Sequence, residues 1–206
     1  MSYITSIGIA NPENKIGQNS IADFMVKAMA LNADDERKIR ALHRMSGIET
    51  RHSVLTDYGR DHSFEFYPNT AEPFPTTKQR LVLFRKHAVH LSVSAAEKCL
   101  SKILDQKKSE ISHLIVVSCT GMYAPGLDID LVKALGLKST IERTCINFMG
   151  CYAAFNALKL AHSLCAQDTE AKVLVVCTEL CTLHFQRENT DDNLLANSLF
   201  ADGSAA

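Results

Sequence analysis

The sequence predicts an α/β fold with a mainly parallel mixed sheet packed by helices, and three observations carry this prediction. Short apolar runs without alternation, at 114–117 and 173–177, are typical of strands covered on both faces. Segments with apolar residues at helical spacing separate these runs, and strands alternating with helices indicate a parallel sheet. No repeat and no Gly/Ser-rich linker divides the 206 residues, so we expect a single domain over residues 1–206.

The elements of the first half follow from periodicity, capping and β propensity. An alternating, β-rich stretch predicts the first strand, and Pro12 ends it. Ser20 is a suitable cap for the first helix, and acidic residues at 34–36 suit the start of the second. Residues 50–80 contain three prolines and predict an irregular surface segment. The predicted elements are a strand at Tyr3–Ile9 and helices at 20–29, about Asp34–Met45 and about Gln79–Leu104.

The second half predicts strands and helices in alternation. The predicted strands are His113–Ser118, Arg143–Phe148 and Lys172–Glu179. The predicted helices are Asp128–Leu135, closed by Gly136, then Cys151–Ala166 and Asn193–Phe200. The final residues, 200–206, predict a turn that leads into another strand.

Composition and charge exclude several classes of protein. Hydrophobic residues make up 46% of the chain and charged residues 22%, which is typical of a globular domain and excludes a disordered chain. The net charge of -1 argues against a nucleic-acid partner. No apolar run approaches the ~20 residues of a membrane helix, and the first residues carry no charged leader or apolar signal core. We therefore expect a cytoplasmic protein without a membrane partner.

The seven cysteines indicate reduced thiols. Their number is odd and most lie in apolar runs, which is not the pattern of a disulfide framework. No CxxC pair occurs. Cys177 and Cys181 are four residues apart, but His184 alone does not complete a zinc-ligand set, so we expect no metal.

The segment 143–160 is the most informative for chemistry. A predicted strand ends, Gly150 permits a tight turn, and Cys151 begins a helix whose apolar residues cover most of its circumference. Such a helix is typical of the middle of a protein, so we expect a buried central helix. A thiol at its start lies at the positive end of the helix dipole, which favours the nucleophilic thiolate. The residues alone leave open whether Cys151 is a nucleophile or one more small buried hydrophobe.

Four segments in order carry a recognisable pattern. They are Cys119–Asp128 with its Pro-Gly pair, Met149–Ala154, Ala171–Glu179 and Leu199–Ala206. Their residues and spacing closely resemble the chalcone/stilbene synthases, the type III polyketide synthases of the thiolase superfamily, in their bacterial form. The resemblance implies the N-terminal half of a thiolase-like fold.

The resemblance also implies roles for individual residues. Cys151 matches the nucleophile that takes the acyl group from a CoA starter, and Phe200 matches the aromatic gatekeeper between the CoA tunnel and the cavity. Cys181 and His184 match cavity-lining positions at which the plant enzymes usually carry Thr. Ala124 matches a side chain that reaches across a homodimer into the partner's cavity, and an alanine reaches less far.

Basic residues on the second predicted helix are candidates for CoA binding. Arg37, Arg40 and Arg44 share one helix face, and such a cluster can hold phosphates, although a solvated helix face is the alternative interpretation. The family binds CoA phosphates with basic residues just before an Arg-Met pair, which Arg44-Met45 matches.

The resemblance implies decarboxylative condensation of acyl-CoA with malonyl-CoA, with no cofactor beyond these thioester substrates. The family's catalytic His and Asn belong to its C-terminal half, which no segment of this chain matches. We therefore expect this chain to be incomplete for catalysis. Two alternatives stay open: a ketoacyl synthase III-type condensing enzyme, and a non-catalytic fragment that dimerises.

Overall fold

The computed structural model describes residues 2–68, 73–103 and 108–206. These residues group into two compact units. The first unit contains the N-terminal residues up to Ala10 together with Leu83–Glu179 and Gly203–Ala206. The second unit contains Asn11–Val82 and Leu180–Asp202. The prediction of one domain over 1–206 stays a prediction.

The secondary structure of the described residues alternates strands and helices in the order expected. The strands are β1 (Ile9–Ala10), β2 (Asn14–Gly17), β3 (Thr50–Ser53), β4 (His113–Ser118), β5 (Glu142–Asn147), β6 (Val173–Leu180) and β7 (Asp202–Ala205). The helices are α1 (Gln18–Ala28), α2 (Ala33–Met45), α3 (Thr77–Leu100), α4 (Leu127–Leu135), α5 (Ala153–Gln167) and α6 (Asp191–Leu199). Most predicted boundaries lie within a few residues of these. Leu104, the predicted last residue of α3, lies outside the described residues.

The first unit is built on a five-stranded sheet in the order β1-β7-β6-β4-β5. β4 pairs in parallel with β5 on one side and with β6 on the other. β1 pairs antiparallel with β7, so the sheet is mixed, as predicted. Every residue of β4 after His113 is buried, because this apolar strand has a neighbouring strand on each side and packed side chains on its faces.

The predicted strand Tyr3–Ile9 is wrong in extent. Only Ile9–Ala10 forms a strand, and Tyr3, Ile4 and Ile7 are exposed. Among the described residues, β7 and Ala206 pair only with residues 8–10, so the residues before them have β propensity but no neighbouring strand to pair with. β propensity alone does not supply the pairing that a strand needs.

The expectation that the helix after Cys151 is buried all round is also wrong for this chain. In α5 only Ala153 and Ala157 are buried, against a cluster of β4 residues. Phe155 is 60% exposed and Leu158 is 45% exposed on the helix surface. Within the described part of the first unit the sheet covers one side of α5, and no second layer covers the other.

The second unit contains a hairpin that the sequence analysis missed. β2 pairs antiparallel with β3, and the 3₁₀ turn Asp57–Gly59 follows. These strands have four residues each and are largely polar, so they carry no apolar alternation that would predict a strand. β3 lies inside the segment 50–80 that we expected to be irregular throughout.

Aromatic residues form the core of the second unit. Phe24 of α1 packs against Tyr58 with ring centroids 4.4 Å apart and against Phe185 at 5.1 Å. Tyr67 completes this group at 5.3 Å from Phe185. Such aromatic pairs add roughly 0.5–1.5 kcal/mol each beyond the area they bury. No helix in the described part of either unit is long and apolar enough to cross a membrane.

We expect Gly8→Ala to destabilise the protein. A Cβ at Gly8 would lie 2.1 Å from the carbonyl oxygen of Ala95 and 2.3 Å from the amide nitrogen of Cys99, both backbone atoms of α3. Because backbone atoms cannot move aside cheaply, the cost is about 1–3 kcal/mol in the free energy of unfolding. Urea denaturation measures it, with Gly59→Ala as control, since a Cβ there meets only Ile16 at 3.6 Å. Equal stability of the two variants would contradict the close approach.

Candidate active site

Residues at the ends of three parallel strands meet at one edge of the sheet. Cys119 follows β4, Gly150 and Cys151 follow β5, and Glu179 lies near the end of β6. The register pairs Ser118 with Asn147, so the ends of β4 and β5 are level. The carboxyl edge of a parallel sheet is where α/β proteins commonly bind ligands. This edge of the first unit is therefore the candidate active site.

The backbone turns sharply between β5 and Cys151. Gly150 has φ +59°, in the left-handed region that favours glycine, which confirms the predicted tight turn. A 3₁₀ turn over Gly150–Tyr152 then leads into α5. Cys151 is exposed rather than buried as expected, because α5 is covered on one side only. Its thiol is thus accessible at the start of a fifteen-residue helix, where the dipole favours negative charge.

Glu179 fixes the loop that follows β4. Its Oε1 accepts a hydrogen bond from the backbone N–H of Cys119 at 2.8 Å. Its Oε2 accepts from the N–H and the hydroxyl of Thr120, at 3.0 Å and 2.5 Å. This is the local backbone role that a carboxylate at a strand end can play, and charge-assisted hydrogen bonds are roughly twice as strong as neutral ones. Glu179 of β6 therefore fixes the backbone position of Cys119.

Cys119 is a site residue that the sequence analysis did not single out. Its thiol donates to the carbonyl oxygen of Gly150 at 3.6 Å, so its sulfur lies beside the residue that precedes Cys151. The available signal was its position directly after β4, at the same sheet edge as Cys151. Cys119 is half-buried, whereas Cys151 is exposed.

Two further thiols of the first unit are poorly suited to nucleophilic attack. Burial, together with the nearby Asp128 carboxylate, raises the pKa of Cys145 to about 11. Burial and the Glu179 carboxylate raise the pKa of Cys177 to about 11 as well. Both thiols are therefore protonated at neutral pH, and the protonated form is the weaker nucleophile.

The loop that carries Ala124 is anchored at both ends. Gly121 sits against the ring of Phe84, where a Cβ would come within 2.1 Å, and the Asp128 carboxylate forms an ion pair with Arg143. Ala124 itself is exposed on the first unit. Its assignment to a partner's cavity stays a prediction.

The first unit also contains a cleft of about 440 Å³. It is lined by residues 2–7, by the ends of α3 and α5, and by residues of β6 and β7. Neither Cys151 nor Ala124 lines it, so this cleft is not the candidate active site.

Cys181 and His184 lie in the second unit, at the two ends of a 3₁₀ turn that contains Thr182. The N–H and hydroxyl of Thr182 donate to Asp202 at 2.8 Å and 2.5 Å. The hydroxyls of Tyr58 and Tyr67 donate to its carbonyl oxygen at 3.0 Å and 2.6 Å. The turn is therefore held rigidly, and Cys181 and His184 are both half-buried.

Phe200 is also in the second unit and is 56% exposed. It lines a cavity of about 10 Å³ together with Arg51 and Thr182. A cavity of this size has room for about one water molecule, so this unit contains no substrate cavity at Phe200 by itself. The gatekeeper assignment stays a prediction.

The predicted basic face of α2 is largely neutralised. Arg37 pairs with Asp34, and Arg40 pairs with Asp23 and Glu36 at 2.7 Å each. Arg44 is exposed and forms no ion pair with any residue of the described ranges. The three arginines therefore differ in how far their charge is neutralised, and Arg44 is the best placed of them to bind an anion.

The structure thus separates the predicted residues into two sets. Cys151 and Ala124 belong to the first unit, and the cavity and CoA candidates belong to the second: Cys181, His184, Phe200, Arg37, Arg40 and Arg44. Over the described ranges, no group of three or more His, Cys, Asp or Glu side chains is arranged to hold a metal ion.

We expect Asp202 to make stability depend on pH. Burial raises its pKa to about 6, although hydrogen bonds from Thr182 and Val54 oppose this. Because the pKa is raised in the folded state, its stabilising contribution is complete below 3.8 and is lost as the pH rises through about 6. Asp202→Asn cannot ionise, so the stability difference between the native protein and this variant shrinks by about 2 kcal/mol from about pH 4 to pH 7.

Urea titrations of both proteins across this range measure that difference. Asp191→Asn, at the exposed first position of α6, is the control, because it removes a carboxylate without touching the buried Asp202. A stability difference between the native protein and Asp202→Asn that is constant with pH would contradict the raised pKa.

Comparison with known proteins identifies the family. All of residues 1–206 match the family described as chalcone and stilbene synthases, N-terminal domain. The chain is 34% identical over 206 residues to the alpha-pyrone synthesis polyketide synthase-like Pks18 of Mycobacterium tuberculosis, covering all of this chain and 51% of that protein. It is also 34% identical over 208 residues to probable polyketide synthase 1 of Dictyostelium discoideum, covering all of this chain and 6% of that protein.

A solved structure agrees with these relatives. The C-terminal type III polyketide synthase domain of Steely1, a type I/III hybrid from Dictyostelium, superposes with a TM-score of 0.84 at 31% identity, covering 97% of this chain and 53% of that one. The chain spans about half the length of the mycobacterial relative and of this domain. The predicted thiolase-like α/β fold is confirmed. The chain belongs to the chalcone and stilbene synthase family, whose N-terminal domain it matches from its first residue to its last.

Proposed function

We propose that this chain supplies the nucleophile of a type III polyketide synthase that condenses an acyl-CoA with malonyl-CoA. The observation that carries the proposal is the exposed thiol of Cys151 at the start of α5, on the carboxyl edge of the parallel strands. Family membership supports this use of the site. The proposed protein works in the cytoplasm, with CoA thioesters as substrates and with no metal, nucleic acid or membrane partner.

The first step is acyl transfer. The Cys151 thiolate attacks the thioester carbonyl carbon of the acyl-CoA, a new carbon–sulfur bond forms, and the bond to the CoA sulfur breaks. The CoA thiolate leaves and takes up the proton that Cys151 has lost. The sharp turn at Gly150 presents the sulfur at the helix start, and Glu179 fixes the neighbouring loop.

The second step forms the carbon–carbon bond. Malonyl-CoA loses carbon dioxide, and the resulting enolate carbon attacks the acyl carbonyl and releases the Cys151 thiolate. This step needs donors for the developing negative charge. In the proposal, the histidines of this chain do not provide those donors. His184 forms part of the cavity wall. The chain by itself is then competent for acylation and not for condensation.

The remaining assignments concern binding. In the proposal, Phe200 separates the CoA tunnel from the cavity, Cys181 and His184 line the cavity, and Ala124 faces the cavity of a second subunit. The rigid hydrogen bonding of Thr182 supports a wall role, because a fixed turn holds the side chains at its ends in place.

We expect Cys151 to be the thiol that acyl-CoA modifies. Mass spectrometry of the protein incubated with a short acyl-CoA should show one acyl group, on the peptide that contains Cys151. Cys151→Ala abolishes this adduct, and limited iodoacetamide labels Cys151 first in the native protein. Cys145→Ala is the matched control: the residue as a whole is exposed, but desolvation of its thiol and the Asp128 carboxylate raise its pKa to about 11. Acylation that survives in Cys151→Ala would refute the proposed function.

We expect Arg44 to bind CoA phosphate. Arg44→Glu should weaken CoA binding by about tenfold or more, because it replaces an exposed cation by an anion, and added salt should weaken the native protein's binding similarly. Lys133→Glu, the same charge change in the last turn of α4, is the control. Isothermal titration with CoA measures both. If Arg44→Glu and the control bound CoA with equal affinity, the basic face of α2 would be an ordinary solvated helix face.

We also propose that the protein is a homodimer. Five large apolar residues around the β5–α5 connection are 45–66% exposed: Phe148, Met149, Tyr152, Phe155 and Leu158. Several exposed large apolar side chains in one segment are typical of protein–protein contacts. Sedimentation velocity should find a dimer, and Phe155→Gln should shift the distribution towards monomer. A monomer at all concentrations of the native protein would refute this assignment.

A further inference from the structure

We propose that Cys119 and Cys151 form a reversible disulfide, which makes this sheet edge a peroxide-sensitive modification site. The formation of the bond depends on the placement of the two cysteines at this sheet edge and does not depend on the proposed function. Its consequence for acyl transfer rests on the proposed function, because the disulfide would occupy the same sulfur.

The contact between Cys119 and Gly150 brings the two cysteines together. The Cys119 sulfur lies 3.6 Å from the carbonyl oxygen of Gly150, and that carbonyl belongs to the peptide bond that carries the Cys151 nitrogen. The Cys119 sulfur is therefore about one peptide unit from the Cys151 backbone. Disulfides form between cysteines whose Cα atoms are roughly 4.4–6.8 Å apart, and the contact of the Cys119 sulfur with this peptide bond is the observation from which we infer that the two cysteines reach that separation.

One partner is fixed and the other is accessible. The backbone N–H of Cys119 donates to Glu179 at 2.8 Å, which fixes its backbone, and its sulfur contacts the carbonyl oxygen of Gly150 in the turn. Cys151 is exposed, so a small oxidant reaches it. A fixed resolving thiol beside an accessible one is the arrangement that favours disulfide formation over further oxidation.

The other cysteines of the first unit are worse partners. Cys99 is buried, and Cys145 and Cys177 have pKa values raised to about 11. Cys165 offers a useful comparison, because its sulfur also contacts a carbonyl oxygen, that of Ala171 at 3.8 Å, but no cysteine neighbours that residue in the sequence. Among the described thiols of this unit, the pairing of Cys119 with Cys151 is thus the specific one.

The chemistry needs a peroxide as oxidant and balances in two steps. The Cys151 thiolate attacks one oxygen of hydrogen peroxide, the O–O bond breaks, and Cys151 becomes a sulfenic acid while hydroxide leaves. The Cys119 thiolate then attacks the Cys151 sulfur, the S–O bond breaks, and the proton from Cys119 and the departing hydroxide form water. A dithiol reagent reverses the bond by thiol exchange.

In the proposed enzyme this bond has two effects. It blocks acyl transfer, since the Cys151 sulfur is no longer a nucleophile. It also protects that sulfur from the sulfinic and sulfonic acids, which thiol reagents do not reverse. The second effect distinguishes a resolving Cys119 from a cysteine that merely lies nearby.

The test is peptide mapping of the purified protein after treatment with hydrogen peroxide. Trypsin yields peptide 109–133, with Cys119, and peptide 144–159, with Cys145 and Cys151. Chymotrypsin cuts after Phe148 and so separates Cys145 from Cys151. We expect the Cys119 and Cys151 peptides joined with the loss of two hydrogen atoms, and released by dithiothreitol. In Cys119→Ser, Cys151 instead gains two or three oxygen atoms that dithiothreitol does not remove.

Cys165→Ser is the control and keeps the linkage. The inference is overturned if the native protein gives only oxygenated Cys151 with Cys119 unchanged, or if Cys151 links to a different cysteine. Acylation is measured on the reduced protein that has not met peroxide. If that protein is not acylated although its oxidised form links, the proposed function alone is refuted; if it is acylated but never links after peroxide, the disulfide alone is refuted.

Discussion

The parallel pairing of β4 with both β5 and β6 is the constraint on which the candidate active site depends. Because the three strands run in one direction, their carboxyl ends lie at one edge, and the residues that follow them are brought together. Cys119, Cys151 and Glu179 are far apart in sequence and share no local motif. β4 holds them together because it is buried and paired on both sides. A change that loosened β4 would disperse the site without touching any of its residues.

Carboxylates stabilise the loops that follow these strands and the turns of the second unit. Glu179 accepts from the backbone after β4, and Asp202 accepts from Thr182 and Val54. Asp57 is fully buried and accepts from three consecutive backbone N–H groups, at 65–67. A buried carboxylate of this kind stabilises only while its donors are in place, since losing them leaves a costly unpaired group. The candidate residues on these loops are therefore held by polar contacts more than by apolar packing.

The apolar surface around α5 reflects a helix with a single covered side. Ala153 and Ala157 face the sheet, and the larger Phe155 and Leu158 face outward. The thiol of Cys151 lies at the start of this same helix, so the accessibility of the nucleophile and the exposure of the apolar face have one cause. In the proposed enzyme, covering this face would enclose the thiol and exclude water from the acyl intermediate.

The sequence by itself determined the elements with strong periodicity and the identity of the nucleophile candidate. Local sequence patterns predicted β4, β6, α3 and the tight turn at Gly150. Apolar runs, helical spacing and glycine each indicate the local conformation of the backbone. Local pattern also sufficed for the family resemblance, since its motifs are contiguous. The β2–β3 hairpin, the short extent of β1 and the exposure of α5 were decided by tertiary structure, because they depend on which backbone or apolar partner is present. The place of Cys119 in the candidate site was also decided by tertiary structure, because only the register of β4 against β5 brings its sulfur beside Gly150.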